Sequence, residues 1–187
     1  MDEKNTTRSI VITGLMAAIA VVLGWTHWGF IPWFGGAALT IMHVPVIIAA
    51  ILVGPISGAA VGLIFGIFSM IQAALAPTGP ADVWFTNPLL SVLPRLFIGP
   101  GAWLVYSALK RWIVPSLFAA GAVGSLVNTV LVLGMIGILG FIPWPVVGGI
   151  ALANGIPEMI ASALITAAVV AAYWRIPLGK RQGANLD

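Results

Sequence analysis

The stretch VVGGIALANGIPEMIASALITAAVVAAYW (residues 146–174) is long and apolar enough to cross a bilayer, yet Asn154, Pro157 and Glu158 fall within five residues of one another inside it. A membrane helix needs roughly 20 predominantly apolar residues, and this segment exceeds that. An ionisable side chain at the bilayer centre costs roughly 2.5–3.5 kcal/mol on the insertion scale, so it normally faces a cavity or a partner. The segment ANGIPEM (153–159) therefore reads as part of a polar pocket. There Gly155 and Pro157 are expected to loosen the helix and free backbone groups toward the cavity.

Composition sets the class. Sixty per cent of the 187 residues are hydrophobic and 7% are charged, against about 25% charged in an ordinary soluble domain. The 8 Lys and Arg and 5 Asp and Glu collect at the chain ends and a few interior points. Residues 1–187 are therefore read as a single membrane domain with short polar tails, MDEKNTTRS and GKRQGANLD. The first apolar run continues to Leu23 and meets aromatics, not a small-residue cleavage site, so no cleavable leader is expected. Cysteine is absent, which excludes disulfides and thiolate metal sites. No metal or cofactor is expected. The net charge of +3 comes from the tails and one loop and forms no basic stripe, so nucleic acid is not an expected partner.

Six spans are read, at about 9–26, 39–54, 57–75, 88–109, 114–139 and 146–174. They are separated by VGPISG (53–58), APTGPADVWFTNP (76–88), KRWIVP (110–115) and GFIPWP (140–145). The runs are continuous and do not alternate, which excludes a strand barrel. With the N-terminus inside, Lys4, Arg8, Lys110, Arg111, Arg175, Lys180 and Arg181 are all cytoplasmic and the outer loops carry no Lys or Arg. The expectation is an all-α membrane protein with six transmembrane helices and both termini cytoplasmic, in the cell (plasma) membrane.

On that topology the polar residues gather in the outer half. His43 starts span two, Gln72 ends span three, and Asn87, Ser91 and Arg95 share one face at the start of span four. Asn128 lies near the middle of span five, and Asn154 and Glu158 share a face in the outer half of span six. Trp25, Trp28, Trp33, Trp84 and Trp144 fall in or beside the outer loops, as an interfacial belt or as a stacking surface. The candidate substrate-binding set is Trp33, His43, Gln72, Trp84, Asn87, Arg95, Asn128, Asn154 and Glu158. The plainer alternative is that Arg95 and Glu158 pair and lock two helices together.

Small residues make two further faces. Gly58, Gly62 and Gly66 form a GxxxGxxxG stripe read as packing within the bundle. Gly14 and Ala18, with Ala17 alongside, sit on a first span that lacks buried polar groups and offers a docking face.

IMHVPVIIAAILVGPISGAAVGLIFGIFSM (41–70) resembles the second and third helices of the substrate-binding S components of energy-coupling factor (ECF) vitamin transporters. LPRLFIGPGAWLVY (93–106), GSLVNTVLVLG (124–134) and NGIPEMIASALI (154–165) are similar to the fourth, fifth and sixth. The resemblance implies a subunit that captures a water-soluble vitamin or precursor from outside. Delivery inward then goes through a transmembrane coupling subunit and two ATPases. It also implies docking through small residues of the first helix, in an alanine-x-x-x-alanine pattern whose nearest match here is Gly14 with Ala18. The HVPVII and NGIPE text is similar to the branch containing pantothenate transporters. Arg95 suits the carboxylate of such a ligand, since guanidinium binds carboxylates by two parallel hydrogen bonds. The outer tryptophans would instead suit a flat aromatic vitamin.

The chain has no Gly-x-x-x-x-Gly-Lys phosphate loop, so ATP hydrolysis is expected only in partner subunits. Asp82 is the only interior aspartate and the two histidines have no carboxylate at metal-ligand spacing, so no catalytic residue and no enzyme activity is expected. The alternative reading is a stand-alone proton-coupled secondary carrier using Glu158. Such carriers commonly show matching broken helices in both halves, and spans one to three hold no counterpart of NGIPE.

Overall fold

The computed structural model describes residues 3–32, 38–77 and 79–176. Trp33, Lys180 and Arg181 lie outside the described residues. The order of elements is α1 (Glu3–Trp25), a hairpin of β1 (Phe30–Pro32) and β2 (Ala38–Thr40), α2 (Val44–Leu52), α3 (Pro55–Leu75), a 3-10 helix (Pro80–Thr86), α4 (Pro88–Ser91), α5 (Leu93–Leu109), α6 (Ile113–Ile138) and α7 (Trp144–Trp174). The hairpin is antiparallel, with Phe30 opposite Thr40 and Pro32 opposite Ala38.

Among the described residues, five helical segments are long and apolar enough to cross a membrane: Thr6–Trp25, Pro55–Leu75, Pro88–Leu109, Ile113–Ile138 and Trp144–Trp174. The second expected span, 39–54, is not such a helix. Residues 38–40 are drawn into the hairpin, and Pro45 sits in the first turn of a helix of only nine residues, about 13 Å long at 1.5 Å per residue. Eight of those nine residues are buried, and α2 touches α1, α3, α5, α6 and α7. It is a core plug wrapped by the longer helices. Lipid tails are as apolar as Ile47, so wrapping this plug stabilises the fold by dispersion and close packing; little apolar surface leaves water in the process.

Gly54 lets the chain turn from α2 into α3 at φ 140°, in the left-handed half of backbone space. The glycine stripe of α3 then packs against the α4–α5 segment. A Cβ on Gly66 would lie 2.7 Å from the Ser91 carbonyl oxygen, one on Gly58 would lie 2.9 Å from Gly99 Cα, and one on Gly62 would overlap the Arg95 carbonyl. The stripe packs inside the bundle as its spacing predicts, and it brings the backbone of Arg95 level with the middle of α3.

A second correction concerns α7. It runs unbroken for 31 residues through ANGIPEM, with Pro157 inside the helix. At 1.5 Å per residue it is about 46 Å long, well beyond a hydrocarbon core of about 30 Å. Proline removes one N–H from the ladder without opening the helix, and α6 braces it there: a Cβ on Gly155 would lie 3.0 Å from Thr129 Cγ2. Away from that region, Arg8 Nη2 donates to the Tyr173 hydroxyl at 3.0 Å, tying the start of α1 to the end of α7.

Candidate functional site

A cavity of about 390 Å³ lies between the hairpin, the last turns of α3, the 3-10 helix, the start of α5, the second half of α6 and the first half of α7. Its volume is within the roughly 300–1,000 Å³ of small-molecule sites. Its wall is mainly apolar, with Phe30, Phe65, Phe85, Val132 and Leu133, and carries a few polar groups: Gln72, Arg95, Asn128, Asn154 and Glu158. These five belong to the candidate set from the sequence; five further polar residues of the wall do not. The candidates meet because α3 and α6 present their distal ends to the same end of the bundle at which α5 and α7 begin.

Arg95 is buried, and its Nη1 donates to the Leu90 carbonyl. Its guanidinium carbon lies 5.4 Å from the Phe65 ring centre and 5.3 Å from that of Phe85. Two aromatic faces thus hold the cation, each by a contact of about 0.5–2 kcal/mol. Its Nε is buried with no hydrogen-bond partner. Glu158 lines the same cavity and is also buried. No ion pair joins the two, which removes the helix-locking alternative. Glu158 Oε1 instead accepts from the main-chain N–H of Thr40 at 2.7 Å, anchoring the return strand of the hairpin to α7. Asn128 Oδ1 is buried and unpartnered, and Asn154 is half-buried in the wall. Gln72 is partly engaged, its Nε2 donating to the Gly24 carbonyl at 3.1 Å. A cavity with one guanidinium outside any ion pair, two carboxylates (Asp82 and Glu158) and several amides holds both donors and acceptors for a polar solute that carries an acidic group.

The remaining candidates stand elsewhere. His43 is fully enclosed, with its Nε2 2.7 Å from Ser162 Oγ. Asn87 caps α4, accepting from Leu89 N–H at 2.9 Å; an Asn directly before a proline-led turn is a helix-start signal. Trp84 stacks on Phe141 with ring centres 5.1 Å apart. Trp25 and Trp28 are 75% and 80% exposed. Among the described residues the cavity's aromatic rings are therefore phenylalanines and His27, which leaves the tryptophan-stacking reading without a described tryptophan in the wall. On α1, Gly14 and Ala18 are exposed while Ala17 is buried in the core.

The structure adds His27, Thr40, Ser69, Asp82 and Thr129 to the wall, with Phe65 and Phe85. Helical spacing back from Gln72 leads to Ser69 and Phe65 on one face of α3, and Thr129 follows Asn128 directly. His27 and Thr40 carry no such signal, because the turn after α1 places the one and the hairpin the other.

Long apolar helices around an internal cavity that carries a few polar groups define a polytopic membrane protein. The sequence matches the family described as ECF transporter, substrate-specific component, over residues 8–170, and the chain belongs to that family. It is 29% identical over 208 aligned positions to the pantothenate transporter PanT of Leuconostoc mesenteroides subsp. mesenteroides, spanning 97% of this chain and 98% of that protein. It is 27% identical over 190 positions to the pantothenic acid transporter PanT of Lactococcus lactis subsp. cremoris, spanning 91% and 95%. The resemblance read from residues 41–70 and 154–165 is borne out, and the chain is a multi-pass transport protein of the plasma membrane.

Proposed function

We propose that this chain is the S component that captures pantothenate on the outer side of the membrane and passes it to a coupling subunit energised by two ATPases. The observation that carries the reading is the unpaired, aromatic-flanked Arg95 in a cavity of about 390 Å³. The ligand carboxylate would take the donors that Leu90 leaves free. The hydroxyls and amide of the ligand would meet Glu158, Asn128 and Asn154, whose acceptors and donors complement them. Relatives named as pantothenate transporters that align along nearly the whole chain support the same ligand.

In this reading both termini are cytoplasmic, since Arg8, Lys110, Arg111 and Arg175 all lie away from the cavity end of their helices. The plug α2 counts as the second of six membrane segments although it is too short to span alone. Gly14 and Ala18, exposed on α1, form the docking face for the coupling subunit, with Ala17 behind them. Energy comes from the partners. The test is calorimetry of the purified chain in lipid nanodiscs, without ATP, against pantothenate, thiamin, riboflavin and biotin. Saturable binding of pantothenate is expected. Binding of a different vitamin refutes the ligand, and binding of none refutes the capture role.

A further inference from the structure

Two charged groups besides Glu158 stand in the cavity wall, and they differ in exposure. Arg95 is buried on α5. Asp82 is half-buried on the 3-10 helix, between the exposed Ala81 and Val83, at a more open part of the wall. The 3-10 helix fixes the relation between the two. In such a helix side chains three residues apart stand one above the other, and each residue adds about 2.0 Å. Asp82 and Phe85 therefore share an edge, and both line the cavity. The Phe85 ring centre lies 5.3 Å from the Arg95 guanidinium carbon, so Asp82 stands one turn, about 6 Å, along the helix from the ring that flanks Arg95. Trp84 projects from a different edge and stacks on Phe141, and Ser91 Oγ donates to the Phe85 carbonyl. These contacts hold the edge of Asp82 and Phe85 toward the cavity. Asp82 Oδ2 accepts from the Gly79 N–H at 3.2 Å. A carboxylate has about four acceptor sites, so capping the helix does not exhaust them.

We infer that Asp82 reads the end of the ligand opposite its carboxylate, accepting a hydrogen bond from a terminal hydroxyl and turning away a ligand that carries a phosphate there. The inference rests on the proposed capture of pantothenate, whose primary hydroxyl is the end farthest from its carboxylate. With the carboxylate on Arg95, the ligand runs out past Phe85 and brings that hydroxyl to Asp82. A hydroxyl donates to a carboxylate, and such a charge-assisted bond is roughly twice as strong as a neutral one. A phosphate monoester at the same position carries close to two negative charges at pH 8, has no proton to donate, and is repelled by the like charge. The role falls to Asp82 and not to Glu158, because Glu158 is buried on α7 and its Oε1 holds the Thr40 N–H at 2.7 Å.

The test is calorimetry at pH 8 of the full chain in lipid nanodiscs, with pantothenate and with its phosphate monoester at the primary hydroxyl. The native protein should bind pantothenate at least about tenfold more tightly than the ester. Asp82→Asn and Asp82→Ser each keep an oxygen for capping but remove the charge. At least one should bind the ester about fivefold or more tightly than the native protein does, while pantothenate weakens about two- to tenfold. The gain is the telling result, since damage to the 3-10 helix lowers binding of both ligands. Four results overturn the inference and leave the pantothenate assignment standing. They are equal native affinity for the two ligands, no gain for the ester in either variant (the outcome of exclusion by size alone), loss of both ligands in both variants (the outcome for a helix cap alone), and a gain from Glu158→Gln in place of the Asp82 variants. A native protein that binds neither ligand refutes the pantothenate assignment, and the inference falls with it.

Discussion

Replacing Arg95 by glutamine tests the proposed site most directly. Glutamine keeps a donor for the Leu90 carbonyl and much of the side-chain volume, but removes the charge and most of the fork. A hydrogen bond to a charged group contributes about 1.5–3 kcal/mol. At 1.4 kcal/mol per factor of ten, this corresponds to a roughly 10- to 150-fold loss of affinity for a carboxylate ligand. The contacts of the guanidinium with Phe65 and Phe85 are lost as well, whichever ligand is bound. The design therefore compares two ligands: pantothenate and its neutral alcohol analogue pantothenol, each titrated calorimetrically into the native and Arg95→Gln proteins in nanodiscs. The variant should weaken pantothenate by that factor and pantothenol by less than about threefold. A variant that weakens both equally would mean that Arg95 acts through packing alone, and the carboxylate assignment would fall.

Gly66→Ala forces the Ser91 carbonyl, 2.7 Å from the added methyl, back to ordinary contact at 3.4 Å; such overpacking costs about 1–3 kcal/mol, and a lowered Tm in detergent together with weaker ligand binding would register it. Glu158→Ala removes the acceptor of Thr40 N–H, so amide exchange at Thr40 should speed up at least tenfold, and unchanged exchange would place the anchor of the hairpin elsewhere. Leucine at Gly14 or Ala18 should leave pantothenate affinity of the isolated chain unchanged while reducing uptake in cells that contain the coupling subunit; normal uptake would move the docking face off α1.

The five long helices and the glycine stripe are legible from the sequence because each depends on a local pattern, an apolar run or a three-residue gap repeated along one face. Arg95, Asn128, Asn154 and Glu158 are legible for a related reason: each is an expensive group inside an apolar run, and it needs a cavity or a partner to stay there. The failures share a different cause. Whether His43 faces a ligand or Ser162, and whether Asn87 faces a ligand or caps α4, is decided by tertiary neighbours that residue type does not reveal. The length of α2 is hidden because strand residues 38–40 and the plug join into one apolar run. Pro157 misleads in the other direction, since a proline in a tightly braced helix need not break it.

The link between the hairpin and α7 has a consequence for how its importance is measured. Its donor is the amide of residue 40, which nineteen of the twenty side chains would leave in place. Systematic alanine replacement along residues 38–42 is blind to it, and only proline at position 40 deletes the donor from that side. The role of this stretch would be undervalued by any mutational survey that counts side chains alone.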